Sequence, residues 1–275
     1  VQQLHWLKPV TVNIYWTCSM LVRASIEPLA WESEFFQRPS AKLHFSDSAP
    51  QVNPAELDVF TLTQAKVPTH RLDLIDALGQ LGFKLVEGEV DLSLSVGVND
   101  TVGTENASFS VDAKTDTGTC QHRVTTYPYR VATTEDIPLL RSVAANAFAL
   151  SRFRAPWYDP QDSGRFYALW AEKAVLGTFD HQCLLVMDSS GQPAGFVTLR
   201  DLHDGSARIG LLAVFPDAQG KGIGSSLMSA AKQWCQSHGL HRLLVATQMS
   251  NIAALRLYIR SGASIESTAY WLCRG

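Results

Sequence analysis

The sequence predicts an α/β (α+β) fold: a mixed central sheet flanked by helices, with a smaller mixed α/β domain ahead of it. Three observations predict it. From Tyr129 onward apolar residues recur at strand and helix periods in the order α, α, β, β, β, α, β, α, β. The stretch Leu74 to Leu94 repeats, more faintly, the helix, glycine, strand pattern of Leu255 to Cys273. Between Ala207 and Leu227 a strand runs through closely spaced glycines directly into an amphipathic helix.

Each element has a local reason. Glu135, Asp136 and Pro138 load a first helical turn with acidic groups and a fixed φ, and Leu139, Leu140, Val143, Ala144 and Ala147 follow on one apolar face. After a loop rich in aromatics and arginines, Ser151 to Pro160, Ser163 and Gly164 open a second helix with Phe166, Leu169, Trp170 and Ala174 inward. Cys183 to Met187 and Ala194 to Leu199 read as antiparallel strands joined by the turn-forming run Asp188-Ser189-Ser190-Gly191. The next strand, Ala207 to Phe215, stops at Pro216. Leu227, Met228, Ala231, Trp234 and Cys235 then keep helical spacing until Gly239. Arg242 to Thr247 alternates into a strand, Asn251 caps a helix ended by Gly262, and Ser267 to Cys273 closes as a strand. The echo in the first half has two readings, a common helix, glycine, strand phrase or a degenerate half-copy of the same unit.

Composition divides the chain and narrows its function. Residues 1–19 are expected to be a peripheral extension, with Met20 as the natural start, and residues 20–96 a small N-terminal α/β domain. Residues 97–128 are expected to be a flexible linker, because Gly97 to His122 has few large apolar residues to repay the entropy of ordering. Residues 129–275 form the main domain. With 275 residues, 46% of them hydrophobic, the chain can bury a sizeable core. Lys+Arg 23 against Asp+Glu 26 leaves a net charge of -3, which gives no global pull toward nucleic acid or an anionic membrane. No apolar run approaches the ~18 residues of a membrane span. The five cysteines, Cys18, Cys120, Cys183, Cys235 and Cys273, are widely spaced and never form C-x-x-C, so a disulfide framework and a zinc knuckle are both disfavoured. A cytoplasmic setting without a metal is expected.

The informative chemistry lies from Leu211 to Leu227. A strand, a glycine-rich turn and a helix N-terminus aim several backbone N–H groups and the positive helix end at one spot, which suits a phosphate. Glycines at 220, 222 and 224 remove the Cβ atoms that would hold a diphosphate away from those amides. A P-loop fails because Lys221 is followed by Gly222, and a dinucleotide fingerprint fails because the third glycine is missing from either starting point. The spacing present is Gln-x-x-Gly-x-Gly, carried by Gln219, Gly222 and Gly224 after a strand ending in Val-x-Pro.

That loop resembles the coenzyme A pyrophosphate loop of the GCN5-related N-acetyltransferases, and the element order from 129 to 275 is similar to that family's. The resemblance implies acetyl-CoA as co-substrate, held by Leu212, Ala213, Val214, Gln219, Gly220, Lys221, Gly222, Ile223, Gly224 and Asn251. It implies that the amides of Leu212 to Val214 bond the pantetheine and polarise the thioester carbonyl. It also makes Tyr258 the general acid toward the departing thiolate; Asn251 and Tyr258, seven residues apart, share one helix face. For the acceptor, Arg152, Arg154, Trp157 and Tyr158 are the candidate contacts, since arginines suit a diphosphate and aromatics suit a base or sugar face. Glu172, His181, Asp201 and His203 are the candidate bases, with a water chain as the alternative.

Stretches including Ala24 to Leu29, Leu85 to Leu92, Ser151 to Tyr158 and Glu266 to Leu272 are similar to the branch of this family that acts on dTDP-aminosugars. This likeness implies a sugar nucleotide as small-molecule partner and a homodimer, while the net charge and the short apolar runs lead to the expectation of no nucleic acid and no membrane span. Two alternatives stand beside it: an enzyme of the same family acting on a protein amine, and a non-catalytic acyl-CoA-binding module.

Overall fold

A computed structural model describes residues 21–97, 127–148 and 151–275. The expected extension 1–19, the start at Met20 and the expected linker apart from Gly97, Tyr127 and Pro128 lie outside the described residues. In chain order the elements are β1 (Ala24–Pro28), α1 (Ala30–Phe36), β2 (Ser40–Phe45), α2 (Pro54–Leu57), β3 (Leu62–Pro68), α3 (Leu72–Gln80) and β4 (Lys84–Ser95). After residue 126 come β5 (Tyr129–Val131), α4 (Ile137–Ala147), α5 (Asp162–Val175), β6 (Gln182–Met187), β7 (Pro193–Asp201) and β8 (Ser206–Val214). They are followed by α6 (Ile223–Ser237), β9 (Arg242–Gln248), α7 (Ile252–Arg260) and β10 (Ser264–Arg274).

Among the described residues the ten strands join one mixed sheet in the order β1-β2-β3-β10-β4-β9-β8-β7-β6-β5. The two halves interleave: β10 pairs with β3 on one side and β4 on the other, while β4 pairs on its far side with β9. The helix, glycine, strand echo therefore has a spatial counterpart. The units α3 to β4 and α7 to β10 both turn at a glycine of positive φ, Gly82 and Gly262, and deliver neighbouring antiparallel strands. Strand β10 starts at Ser264, three residues before the alternation predicts, because β4 pairs with Ser264 and Ile265 across a bulge.

Helix ends follow local chemistry. Thr133 and Asp136 form a capping box ahead of α4, and the Arg130 guanidinium grips the Asp136 carboxylate at 2.7 Å through both oxygens. Asn251 Oδ1 accepts from the Ala254 amide at 3.1 Å and caps α7. The main core runs from Leu140 and Phe153 through Leu185, Phe196 and Leu199 to Leu227 and Trp234, and it takes in Leu62, Val90 and Leu92 from the first half. A second cluster, centred on Leu43, Leu57, Ala65, Leu78 and Leu272, lies over the N-terminal strands.

Candidate active site

The site begins where two parallel strands part. β8 and β9 pair from Ser206↔Arg242 to Ile209↔Val245 and no further, so Gly210–Val214 and Ala246–Gln248 diverge with unpaired edges facing each other. Divergence coincides with a bulge: β8 and β7 match Ile209 with Leu199 and then Leu212 with Val197, which leaves Gly210 and Leu211 opposite Thr198 alone. The gap opens into a cleft of about 910 Å³. Its walls come from β8, β9, the turn into α6, the start of α7, and the α4 and α5 face carrying Asn146, Tyr167 and Trp170.

The turn into α6 is an orphaned-donor cradle. Gly220 and Gly222 stand at φ of 73° and 86°, a region that L side chains rarely adopt. The amides of Gly220 to Gly224 find no acceptor among the described residues, and no side chain caps the helix. Gly224 is glycine for a second reason, since a Cβ there would lie 3.1 Å from Leu257 where α6 and α7 cross. Free donors at the positive end of a 15-residue helix make a site for an anion.

Of the residues expected to hold the cofactor, Leu212, Ala213, Val214, Gln219, Gly220, Gly222, Ile223, Gly224 and Asn251 all line the cleft. Lys221 does not; its side chain is exposed and donates to the Asp217 carbonyl at 2.7 Å. Tyr258 is buried on the cleft wall, its hydroxyl makes no hydrogen bond among the described residues, and burial alone pushes the phenol well above its usual pKa.

The acceptor segment divides. Arg152 lines the cleft, its guanidinium lies 4.3 Å from the Trp271 ring centroid, and its buried Nε has no hydrogen-bond partner. Burial opposes its charge, but Tyr167, Glu32, Glu87 and Glu89 act the other way and its pKa is raised. Arg154, Trp157 and Tyr158 lie off the cleft. Arg154 donates to the Val86 carbonyl at 2.8 Å, the Trp157 carbonyl accepts from Arg38, and Gln64 donates to the Tyr158 hydroxyl at 3.2 Å. These three tie the loop to the N-terminal half, at β3, β4 and the α1–β2 turn.

None of Glu172, His181, Asp201 and His203 reaches the cleft. Glu172 pairs with Arg141, His181 Nδ1 accepts from the Asp201 amide at 2.9 Å, and His203 sits beside Asp201 on an exposed turn. Among the described residues the carboxylate on the cleft wall is Glu89, from β4, held by Lys66 at 2.5 Å and by the Trp271 indole at 3.0 Å. Its neighbour Glu87 is pushed up to about 7 by burial, against the pull of Arg152. Sequence reasoning passed over both. Their signal is Glu87, Glu89 and Asp91 at a period of two, alternating with Val86, Gly88, Val90 and Leu92.

Comparison with known proteins fits this geometry. Residues 147–263 match the model of the acetyltransferase (GNAT) family. Over 255 residues the chain is 49% identical to the dTDP-fucosamine acetyltransferase of Escherichia coli O6:H1, spanning 93% of this chain and 100% of that protein. The chain belongs to the GNAT acetyltransferase family. Solved structures share the fold: a GCN5-related N-acetyltransferase from Sphaerobacter thermophilus superposes with a TM-score of 0.57 at 13% identity, covering 92% of this chain and 76% of that one. A tandem GNAT protein from the clavulanic acid biosynthesis pathway gives 0.52 at 12% identity, covering 85% and 74%.

Proposed function

We propose that the chain transfers acetyl from acetyl-CoA to the 4-amino group of dTDP-4-amino-4,6-dideoxy-D-galactose. The product is dTDP-4-acetamido-4,6-dideoxy-D-galactose, made in the cytoplasm for enterobacterial common antigen biosynthesis. One observation carries the reading: identity to the dTDP-fucosamine acetyltransferase runs the full length of that protein, through both halves that build the cleft.

The residues divide the work. The free amides of Gly220 to Gly224 take the coenzyme A diphosphate at the positive end of α6. The pantetheine lies in the gap between β8 and β9, where unpaired strand amides accept it as a further strand edge. There the Leu212 amide stands beside the thioester carbonyl and stabilises the oxyanion that forms when the amine adds. Asn251 caps α7 and faces the same gap.

Tyr258 meets the departing sulfur. An unperturbed phenol has pKa ~10 and a thiol ~8.5, so full donation from phenol to thiolate is uphill by ~2 kcal/mol. Burial of Tyr258 raises that cost further. The hydroxyl therefore stabilises developing thiolate charge by hydrogen bonding, and the net proton comes from the ammonium of the tetrahedral intermediate. Glu89 is already engaged by Lys66 and Trp271, so the amine proton leaves through water. Arg152, the cationic side chain from the 151–160 loop that lines the cleft, takes the acceptor's diphosphate. The likeness also implies a homodimer, which sedimentation analysis tests.

Incubation with acetyl-CoA and a panel of dTDP-aminosugars plus a basic peptide tests the assignment, with free thiol as readout. Thiol release that requires the 4-amino-4,6-dideoxygalactose nucleotide is expected. Peptide acetylation, or acetyl-CoA binding with no thiol released by any acceptor, would overturn it.

A further inference from the structure

Just before β6 one buried carboxylate ties α5 to β7 and, through Thr198, to β8, none of its partners a residue that touches coenzyme A in the proposed reaction. Asp180 is 2% exposed. Its Oδ2 accepts from the Trp170 indole N–H of α5 at 2.7 Å and from the Thr198 hydroxyl of β7 at 2.6 Å. Its Oδ1 lies 3.2 Å from Arg200 Nε, and the Arg200 guanidinium stacks over Phe179 at 4.1 Å. Thr198 passes the chain on: while its O–H donates to Asp180, its oxygen accepts from the Leu211 amide at 2.8 Å.

That last bond sits at the bulge. Leu211 is the extra residue of β8, and its amide is turned toward β7 by a side-chain oxygen in place of the regular ladder. Successive amides of an extended strand point to opposite edges, so holding Leu211 toward β7 turns the Leu212 amide toward the gap to β9. Gly210 belongs to the same device. A Cβ at 210 would collide with the Asp180 carboxylate and stand 2.8 Å from Thr198 Oγ1. A neutral hydroxyl alone could rotate; a buried carboxylate acceptor fixes its proton, and so fixes which lone pair faces Leu211.

We infer that Asp180 and Thr198 are positioning residues that set the β8 bulge and aim the Leu212 amide at the thioester, with the Trp170 wall of the cleft locked to the same carboxylate. The inference rests on the acetyl-transfer reading for the role of Leu212, while the hydrogen-bond relay itself does not.

Thr198→Val and Thr198→Ser separate this role from simple packing. Valine keeps the side chain's size but leaves the Leu211 amide and one Asp180 acceptor unpaired; serine keeps the relay. Valine is expected to lower kcat about tenfold or more, with acetyl-CoA affinity changed less than about threefold, because an oxyanion donor acts in the transition state rather than in binding. Serine is expected to recover most of kcat. In amide hydrogen exchange followed by NMR, the Leu211 amide should exchange at least about tenfold faster in the valine variant and near the wild-type rate in the serine variant. Unchanged Leu211 exchange in Thr198→Val, or a serine variant as impaired as the valine one, overturns the inference. A wild-type protein that acetylates no aminosugar nucleotide removes the proposed function, and the exchange experiment still decides the relay.

Discussion

Tyr258 carries the sharpest residue-scale prediction. Tyr258 borders the cleft, its hydroxyl has no partner among the described residues, and its phenol stays protonated across the working pH range, so Tyr258→Phe removes one hydrogen-bond donor and little else. Stopped thiol-release assays should show kcat falling roughly a hundredfold, with acetyl-CoA affinity by calorimetry within about twofold of wild type. Equal losses in both would assign Tyr258 to binding. Arg152 behaves oppositely: Arg152→Met should raise KM for the sugar nucleotide about tenfold or more, the scale of a lost charge-assisted hydrogen bond, and leave acetyl-CoA affinity unchanged. Tyr258 and Arg152 were both legible as residue types in a motif or cluster. Arg154, Trp157 and Tyr158 share a loop with Arg152, yet Arg154 donates to the Val86 carbonyl, the Trp157 carbonyl accepts from Arg38, and the Tyr158 hydroxyl accepts from Gln64. Adjacency in a loop carries no periodicity from which facing could be read.

Glu87 makes a pH prediction of definite sign. Its folded-state pKa of about 7 lies above the ordinary 4.5, so the native state prefers the protonated form and ionisation costs stability as pH rises between those values. Glu87→Gln should leave stability near that of wild type at about pH 4 and exceed it by up to ~3 kcal/mol above pH 8. Chemical denaturation at the two pH values measures the difference.

At the scale of elements, the turn into α6 and the cap of α4 are the parts whose chemistry is most local. Gly222→Ala places a Cβ at φ 86°, in open space but in a strained conformation, at a cost of ~1–3 kcal/mol. Relaxation of that strain would rotate the orphan amides, so acetyl-CoA affinity should fall with little change in the kcat of saturated enzyme. Asp136→Ala removes a capping box and a bidentate arginine contact, and should destabilise the fold by ~1–2 kcal/mol. Arg130 holds the Asp136 carboxyl down at about 2, so that contribution is present above the ordinary value of 3.8 and fades as pH falls toward 2. Most strands and helices of the second half were legible because period and punctuation agree there, as at Asn251 and Gly262. The bulge at Gly210–Leu211 was not. It depends on Thr198 and Asp180, which are distant in sequence and look like ordinary polar residues until β7 and β8 align.

On the scale of the whole molecule, the decisive feature is that the two halves exchange strands at their junction, the last strand lying between two strands of the first half. Among the described residues β10 has β3 and β4 as its neighbours, and β9 joins the first half through β4. The faint echo at Leu74 to Leu94 was readable as a phrase. Its pairing with the last strand was not, because register between distant strands is set by tertiary packing rather than by local period. A fragment of residues 127–275 would leave β10 without partners, expose Leu272 and Val245, and bare the β9 edge that β4 pairs with. It should show no cooperative unfolding transition by near-ultraviolet circular dichroism, whereas the full chain should unfold in one. A sigmoidal transition from the fragment would contradict the interleaving as a source of stability.

The central claim is that coenzyme A lies between β8 and β9 with its diphosphate on the α6 turn. A crystal structure of the full chain soaked with acetyl-CoA measures this directly. The account predicts diphosphate oxygens within hydrogen-bond reach of the Gly220 to Gly224 amides, the thioester oxygen on the Leu212 amide, and the sulfur beside the Tyr258 hydroxyl. Coenzyme A bound elsewhere, or a thioester beyond reach of both Leu212 and Tyr258, would contradict it.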